Sequence, residues 1–113
     1  MITPDAMLDE AERMCRGQSD LPRGVASRSA AFVTRSVLEA LAKERVTALS
    51  GCAAPQQMRA TLACLWGLGE AQIDSWNYGW AALSRMCHLH EFDTTPTAEE
   101  VLSLVRLVRG LAP

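Results

Sequence analysis

The sequence predicts an all-α bundle, and three observations carry that prediction. Apolar residues recur at three- and four-residue spacing over long stretches, no alternating β-branched run marks a strand, and glycine or proline punctuates the gaps. A chain of 113 residues supports one domain, 1–113, with enough buried surface for a real core. The expected architecture is an up-and-down bundle of four principal helices plus a shorter N-terminal one.

The first helix is predicted over Pro4–Arg16. Thr3 can cap it, Pro4 suits a first position that needs no amide donor, and the acids that follow suit the positive end of the dipole. Met7, Ala11, Met14 and Cys15 form its apolar face, and Gly17 ends it. After a turn-rich loop, one long helix is expected over Val25–Leu49, with Ala26, Ala30, Val33, Val37, Leu41 and Ala48 on one face and Ser50-Gly51 as its stop. Pro55 starts a third helix reaching Leu68, with Met58, Leu62, Leu65 and Trp66 on the buried side and Arg59 as its lone charge.

A fourth helix is expected over Ala71–His88. At ~100° per residue, Ile73, Trp76, Trp80, Leu83 and Cys87 fall in one stripe, and Arg85 lies nearly opposite, beside Tyr78, Ala81 and Ala82. A helix apolar or small on both sides is either central in its bundle or covered by another subunit. For the last helix, Thr97 with Glu100 three residues on matches a capping box, and Thr95-Pro96 is a competing start. Val101, Leu104, Val105, Val108 and Leu111 supply its core face, with Gly110 as the expected terminator.

A net charge of −2 gives no basic field that announces a nucleic acid. The N-terminus is acidic and amphipathic, unlike a secretory signal, and no apolar stretch nears the ~20 residues of a membrane span. Cys15, Cys52, Cys64 and Cys87 are scattered without a C-x-x-C pair, which predicts reduced, mostly buried thiols and a cytoplasmic location. No glycine-rich phosphate loop, Ser-His-Asp arrangement or dinucleotide fingerprint occurs, and no cofactor is expected.

The functional signal is concentrated in Trp80 to Asp93, WAALSRMCHLHEFD, which holds Arg85 and both histidines of the chain, His88 and His90. On an unbroken helix Arg85 and His90 would point ~140° apart; a helix broken after His88 lets His90 fold back toward Arg85. A guanidinium beside an imidazole suits a bound phosphate and a moving proton. The plainer alternative has Arg85 paired with a carboxylate and the histidines closing a helix end.

The Arg-x4-His spacing of Arg85 and His90 at the end of the penultimate helix, followed by a short loop, a Thr/Pro helix start and a final amphipathic helix, resembles the HEPN superfamily. The likeness in helix order covers roughly Val25 to Leu111. It implies an all-α homodimer and, for many members, a metal-independent endoribonuclease whose motifs meet in a cleft across the dimer interface. His90 would then be the general acid or base at the ribose 2′-hydroxyl and Arg85 would hold the scissile phosphate, with His88 and Tyr78 as auxiliary candidates. RNA or a nucleotide becomes the expected ligand, and an antitoxin protein the expected partner of a toxin or defence enzyme. Other members have lost catalysis and bind nucleotides or partners. The family usually has a polar residue directly after the arginine, and Met86 stands there instead. A cleft holding Arg85 and His90 from both subunits would mark the enzyme; an Arg85 locked to a carboxylate would mark an interaction module.

Two other groupings compete with these. Cys87, His88, His90 and Glu91 offer metal-ligand types, but His88 and His90 are two apart and Cys87 belongs to the buried stripe, so no metal site is expected. Trp66, Trp76, Tyr78 and Trp80 could stack on bases, yet Trp76 and Trp80 lie on the core stripe; Tyr78 shares the Arg85 face.

Overall fold

The computed structural model describes residues 2–88 and 95–113. It holds five helices: α1 (Pro4–Cys15), α2 (Arg23–Ser50), α3 (Met58–Gly67), α4 (Ile73–Cys87) and α5 (Ala98–Leu111). No strand occurs among the described residues, and the protein is an all-α bundle.

The centre of the bundle is α2. Its 28 residues rise ~42 Å at 1.5 Å each, which accounts for the longest dimension of the molecule, 42 Å. All four other helices pack against it and follow one another around it in the order α1, α5, α4, α3. This explains why its buried positions are so many and so small. Ala26, Ala30, Ala31 and Ala42 let neighbours approach closely, while Val37, Leu38, Leu41 and Val46 fill the layers between. No contact between α1 and α3 occurs among the described residues, so one side of α2 stays open, with Val25, Phe32, Ser36 and Ala40 exposed along it.

The helix ends follow local chemistry. Thr3 accepts a hydrogen bond from the Ala6 amide, and Thr97 accepts one from Glu100 while its hydroxyl donates to the Glu100 carboxylate, so both expected caps form. Gly17 and Gly51 take positive φ, the conformation that stops α1 and α2 cheaply. Helix α2 starts two residues before and ends one residue after the expected bounds. Helix α3 begins at Met58 rather than Pro55: Gln57 is its N-cap and its carbonyl accepts the Thr61 amide, the first helical bond, while the Pro55 carbonyl accepts from the buried Thr61 hydroxyl instead. This makes α3, at 10 residues, the shortest element, where the N-terminal helix of 12 was expected to be. Gly110 does not terminate α5, which runs to Leu111 so that this leucine can complete the core.

The core itself matches expectation on α5, whose five predicted residues are all buried. Trp76 is its largest member at 1 % exposure. On α3 the prediction fails at Trp66, which is 74 % exposed; Thr61 takes the inward place, its hydroxyl satisfied by the two carbonyls. The cysteines also depart from expectation. None is fully buried: Cys15, Cys64 and Cys87 are half-buried, Cys52 is exposed, and all four are free thiols.

Candidate functional site

Helix α4 carries the candidate site, and its two sides differ sharply. Trp76, Gly79, Ala82 and Leu83 are buried, with Ile73, Trp80, Met86 and Cys87 packed on the core at its margin. Gly79 faces its neighbours closely: a Cβ there would sit 3.1 Å from Leu107 and 3.4 Å from Leu38. The opposite stripe, Asp74, Tyr78, Ala81 and Arg85, is exposed in the single chain. Its spacing of four, three and four residues keeps these side chains on one face. Neither Asp74 nor Arg85 forms an ion pair among the described residues.

Helix α4 ends at Cys87, one residue earlier than expected. His88 is extended, with φ −78° and ψ 127°, so the chain leaves the helix axis three residues after Arg85. Arg28 of α2 holds this end: its Nη1 donates to the carbonyls of Met86 at 3.0 Å and His88 at 3.2 Å. A cation on the last carbonyls of a helix satisfies acceptors left without an amide and opposes the negative end of the dipole. One turn back, Arg35 donates through Nε to Ser84 at 3.1 Å, and its guanidinium lies 4.0 Å from the centre of the Trp80 ring. Two arginines seven residues apart on α2 therefore bind the C-terminal half of α4.

Between these arginines lies Cys87. Burial pushes its thiol above the ordinary value, and the positive fields of Arg35 and Arg28 offset that only in part. A raised thiol is a poor nucleophile, so Cys87 acts as packing. Alongside α4, a groove of about 490 Å³ runs between it and α3, lined by Arg59, Leu62, Ala63, Trp66, Asn77 and Trp80. No carboxylate lines it, and the exposed indole of Trp66 forms its outer edge.

The sequence-predicted residues are thus dispersed. Arg85 and Tyr78 share the outward face; His88 lies at the helix end, exposed, with its carbonyl accepting from Arg28. His90 and Glu91, needed for the Arg-x4-His pair and for the metal alternative, lie outside the described residues. Among the described residues no group of three or more histidine, cysteine or acidic side chains could hold a metal ion, and no helix is long and apolar enough to cross a membrane. Sequence reasoning missed Arg28, Arg35 and Arg59. The seven-residue spacing of Arg28 and Arg35, two helical turns, was the available signal.

The chain matches no protein-family model, no curated protein and no solved structure.

Proposed function

We propose that this protein is a non-catalytic interaction module that works as a homodimer, with the exposed stripe of α4 as its interface. The observation that carries this reading is the self-complementarity of that stripe. A two-fold axis passing between Gly79 and Trp80, with the α4 helices antiparallel, sets Asp74 against Arg85 of the partner subunit at both ends. The same axis sets Tyr78 over Ala81 of the partner subunit, a large side chain against a small one. Both charged residues lack an ion partner among the described residues, and Tyr78 is 61 % exposed, an aromatic of the kind that anchors interfaces. An axis lying in the interface keeps both α3 helices on one side of the paired α4 helices. The exposed Trp66 of each copy then lies on the side of the other's α3–α4 groove, which supplies a use for an indole that adds nothing to the core.

The competing reading is the HEPN-like endoribonuclease with Arg85 and His90. What favours it is the helix end at Cys87, which turns the chain between those two residues, and the open position of Arg85. Against it stands the register above. It separates the two Arg85 side chains by ~16 Å along the helices and gives each a carboxylate, so the two motifs would not share one cleft.

Sedimentation equilibrium tests the dimer. Wild type is expected to be dimeric, Asp74→Arg and Arg85→Asp each monomeric, and the double exchange dimeric again. A monomeric wild type at ~100 µM, or a dimer indifferent to both single changes, sinks the reading. RNA integrity is scored on the same proteins. Cleavage by wild type that is lost in Arg85→Ala and in His90→Ala puts the endoribonuclease in its place.

A further inference from the structure

A second site lies away from the α4 stripe, where the later turns of α2 meet the connection from α3 to α4 and the end of α5. A cavity of about 340 Å³ there has the apolar side chains of Leu41, Ala48 and Leu111 in its lining. Glu44, Arg45, Glu70 and Gln72 supply its polar groups, and none of these residues belongs to α4. Glu70, at 7 % exposure, is the one buried charged side chain among the described residues. Its Oε1 accepts from the Gln72 amide at 3.3 Å and its Oε2 from Arg45 Nε at 2.6 Å. A buried carboxylate with both oxygens bonded fixes the orientation of the guanidinium it holds.

The way Arg45 is held leaves part of it unused. Arg28 donates through Nη1 to two carbonyls, and Arg109 through Nη1 and Nη2 to Asp5 and Asp9. Arg35 bonds through Nε, but the Trp80 ring lies against its guanidinium. Arg45 bonds through Nε alone, so its Nη1 and Nη2 have no partner among the described residues and can together take both oxygens of a carboxylate. The exposed Glu44 likewise forms no ion pair among the described residues. The cavity therefore offers one oriented cation and one unpaired anion beside apolar surface.

We infer that this cavity binds an α-amino acid with an apolar side chain, its carboxylate on Arg45, its ammonium on Glu44 and its side chain against Leu41, Ala48 and Leu111. A zwitterion answers both charges at once. A dianion would meet the two carboxylates of the lining, and a bare hydrocarbon would leave Arg45 and Glu44 desolvated without partners. The volume lies in the range of small-molecule sites. Nothing in the site comes from a second copy, so its failure leaves the dimer reading standing and the reverse also holds.

Calorimetric titration with L-leucine tests it, beside leucinamide, which lacks the carboxylate, and N-acetyl-leucine, which lacks the ammonium. Leucine is expected to bind, and each analogue about tenfold more weakly or worse. The analogues also stand for the two ends of a peptide, so equal binding of either one overturns the free amino acid as ligand. Arg45→Lys keeps a cation for Glu70 but removes the fork, and Glu44→Gln removes the partner of the ammonium; each is expected to weaken binding about tenfold. Ala48→Phe fills the cavity from an exposed position, leaves the Arg45 and Glu70 pair in place, and is expected to abolish binding. Thermal unfolding without leucine verifies that the variants fold. Absence of binding at millimolar leucine, or binding unchanged in either Arg45→Lys or Ala48→Phe, overturns the proposal.

Discussion

Arg28 reaches across 58 positions of sequence to donate to the Met86 carbonyl at 3.0 Å. With its second bond to His88, this one side chain fixes where α4 stops and from what point the chain departs toward α5. The C-terminal end of α4 is therefore a tertiary feature, held by α2.

Arg28→Ala removes both bonds and leaves two carbonyls to water. The expected cost is about 1 kcal/mol, since the partners are neutral and part of the site is solvated. Amide exchange should quicken at Met86, Cys87 and His88 while the middle of α4, at Trp80 and Leu83, keeps its protection. Uniform acceleration along α4 would contradict this account.

Two tryptophans should respond oppositely to truncation. Trp76, 1 % exposed in the core, is expected to cost about 4 kcal/mol on replacement by alanine, and Trp66, 74 % exposed, less than 0.5 kcal/mol in the monomer. Denaturant unfolding of the two variants checks this. A large loss at Trp66 in a monomeric background would mean that the indole packs within its own chain.

Gly79 faces Leu38 of α2 and Leu107 of α5. A methyl group there meets the flexible ends of Leu107 and Leu38, so Gly79→Ala trades mild crowding against a better helix former and should stay within about 1 kcal/mol of wild type. Gly79→Leu has no such escape and should cost about 3 kcal/mol, read as a drop in melting temperature.

Glu70 is the clearest source of pH dependence. Its carboxyl is held below the ordinary value first by the hydrogen bond from Arg45 at 2.6 Å and then by the Gln72 amide, against the opposing effect of burial. A carboxyl depressed in the folded state contributes stability above its unfolded pKa, and that contribution fades as pH falls through the folded value. Glu70→Gln should lower stability by about 1 kcal/mol at neutral pH, the half-exposed Arg45 limiting the gain, and should lose no further stability from this source on acidification. Melting curves between about pH 7 and pH 3 compare the two slopes. Parallel slopes would remove Glu70 from the account.

Much of the bundle was legible in the sequence because its signals are local. Thr3, Thr97 and Glu100 cap by contacts within three residues, and Gly17 and Gly51 stop helices through their own backbone freedom. The face of α5 follows from periodicity alone, and so does the seat of Trp76. Trp66 was misread because periodicity reports which residues share a face and not how far around the helix its neighbours reach. Only α2 and α4 flank α3, and neither covers that angle.

Arg28 and Arg35 were invisible for a related reason. Nothing local distinguishes them from other charges on a long helix, and their partners, the Met86 and His88 carbonyls, Ser84 and Trp80, are 45 or more positions away.

By itself, then, the sequence determined the five helices, their ends to within a few residues and the whole core face of α5, though it missed Leu8 on α1 and set the buried Ala82 on the Arg85 face of α4; capping, propensity and 3.6-residue periodicity act between residues a few positions apart. It also placed Arg85 and Tyr78 on one side of α4. Only the tertiary structure decided which helix stands at the centre, which arginines hold the end of α4, and that the Arg85 stripe stays uncovered in the single chain. Those outcomes depend on how far each neighbour reaches around a shared core, a matter of volume and packing between distant segments that no local pattern records.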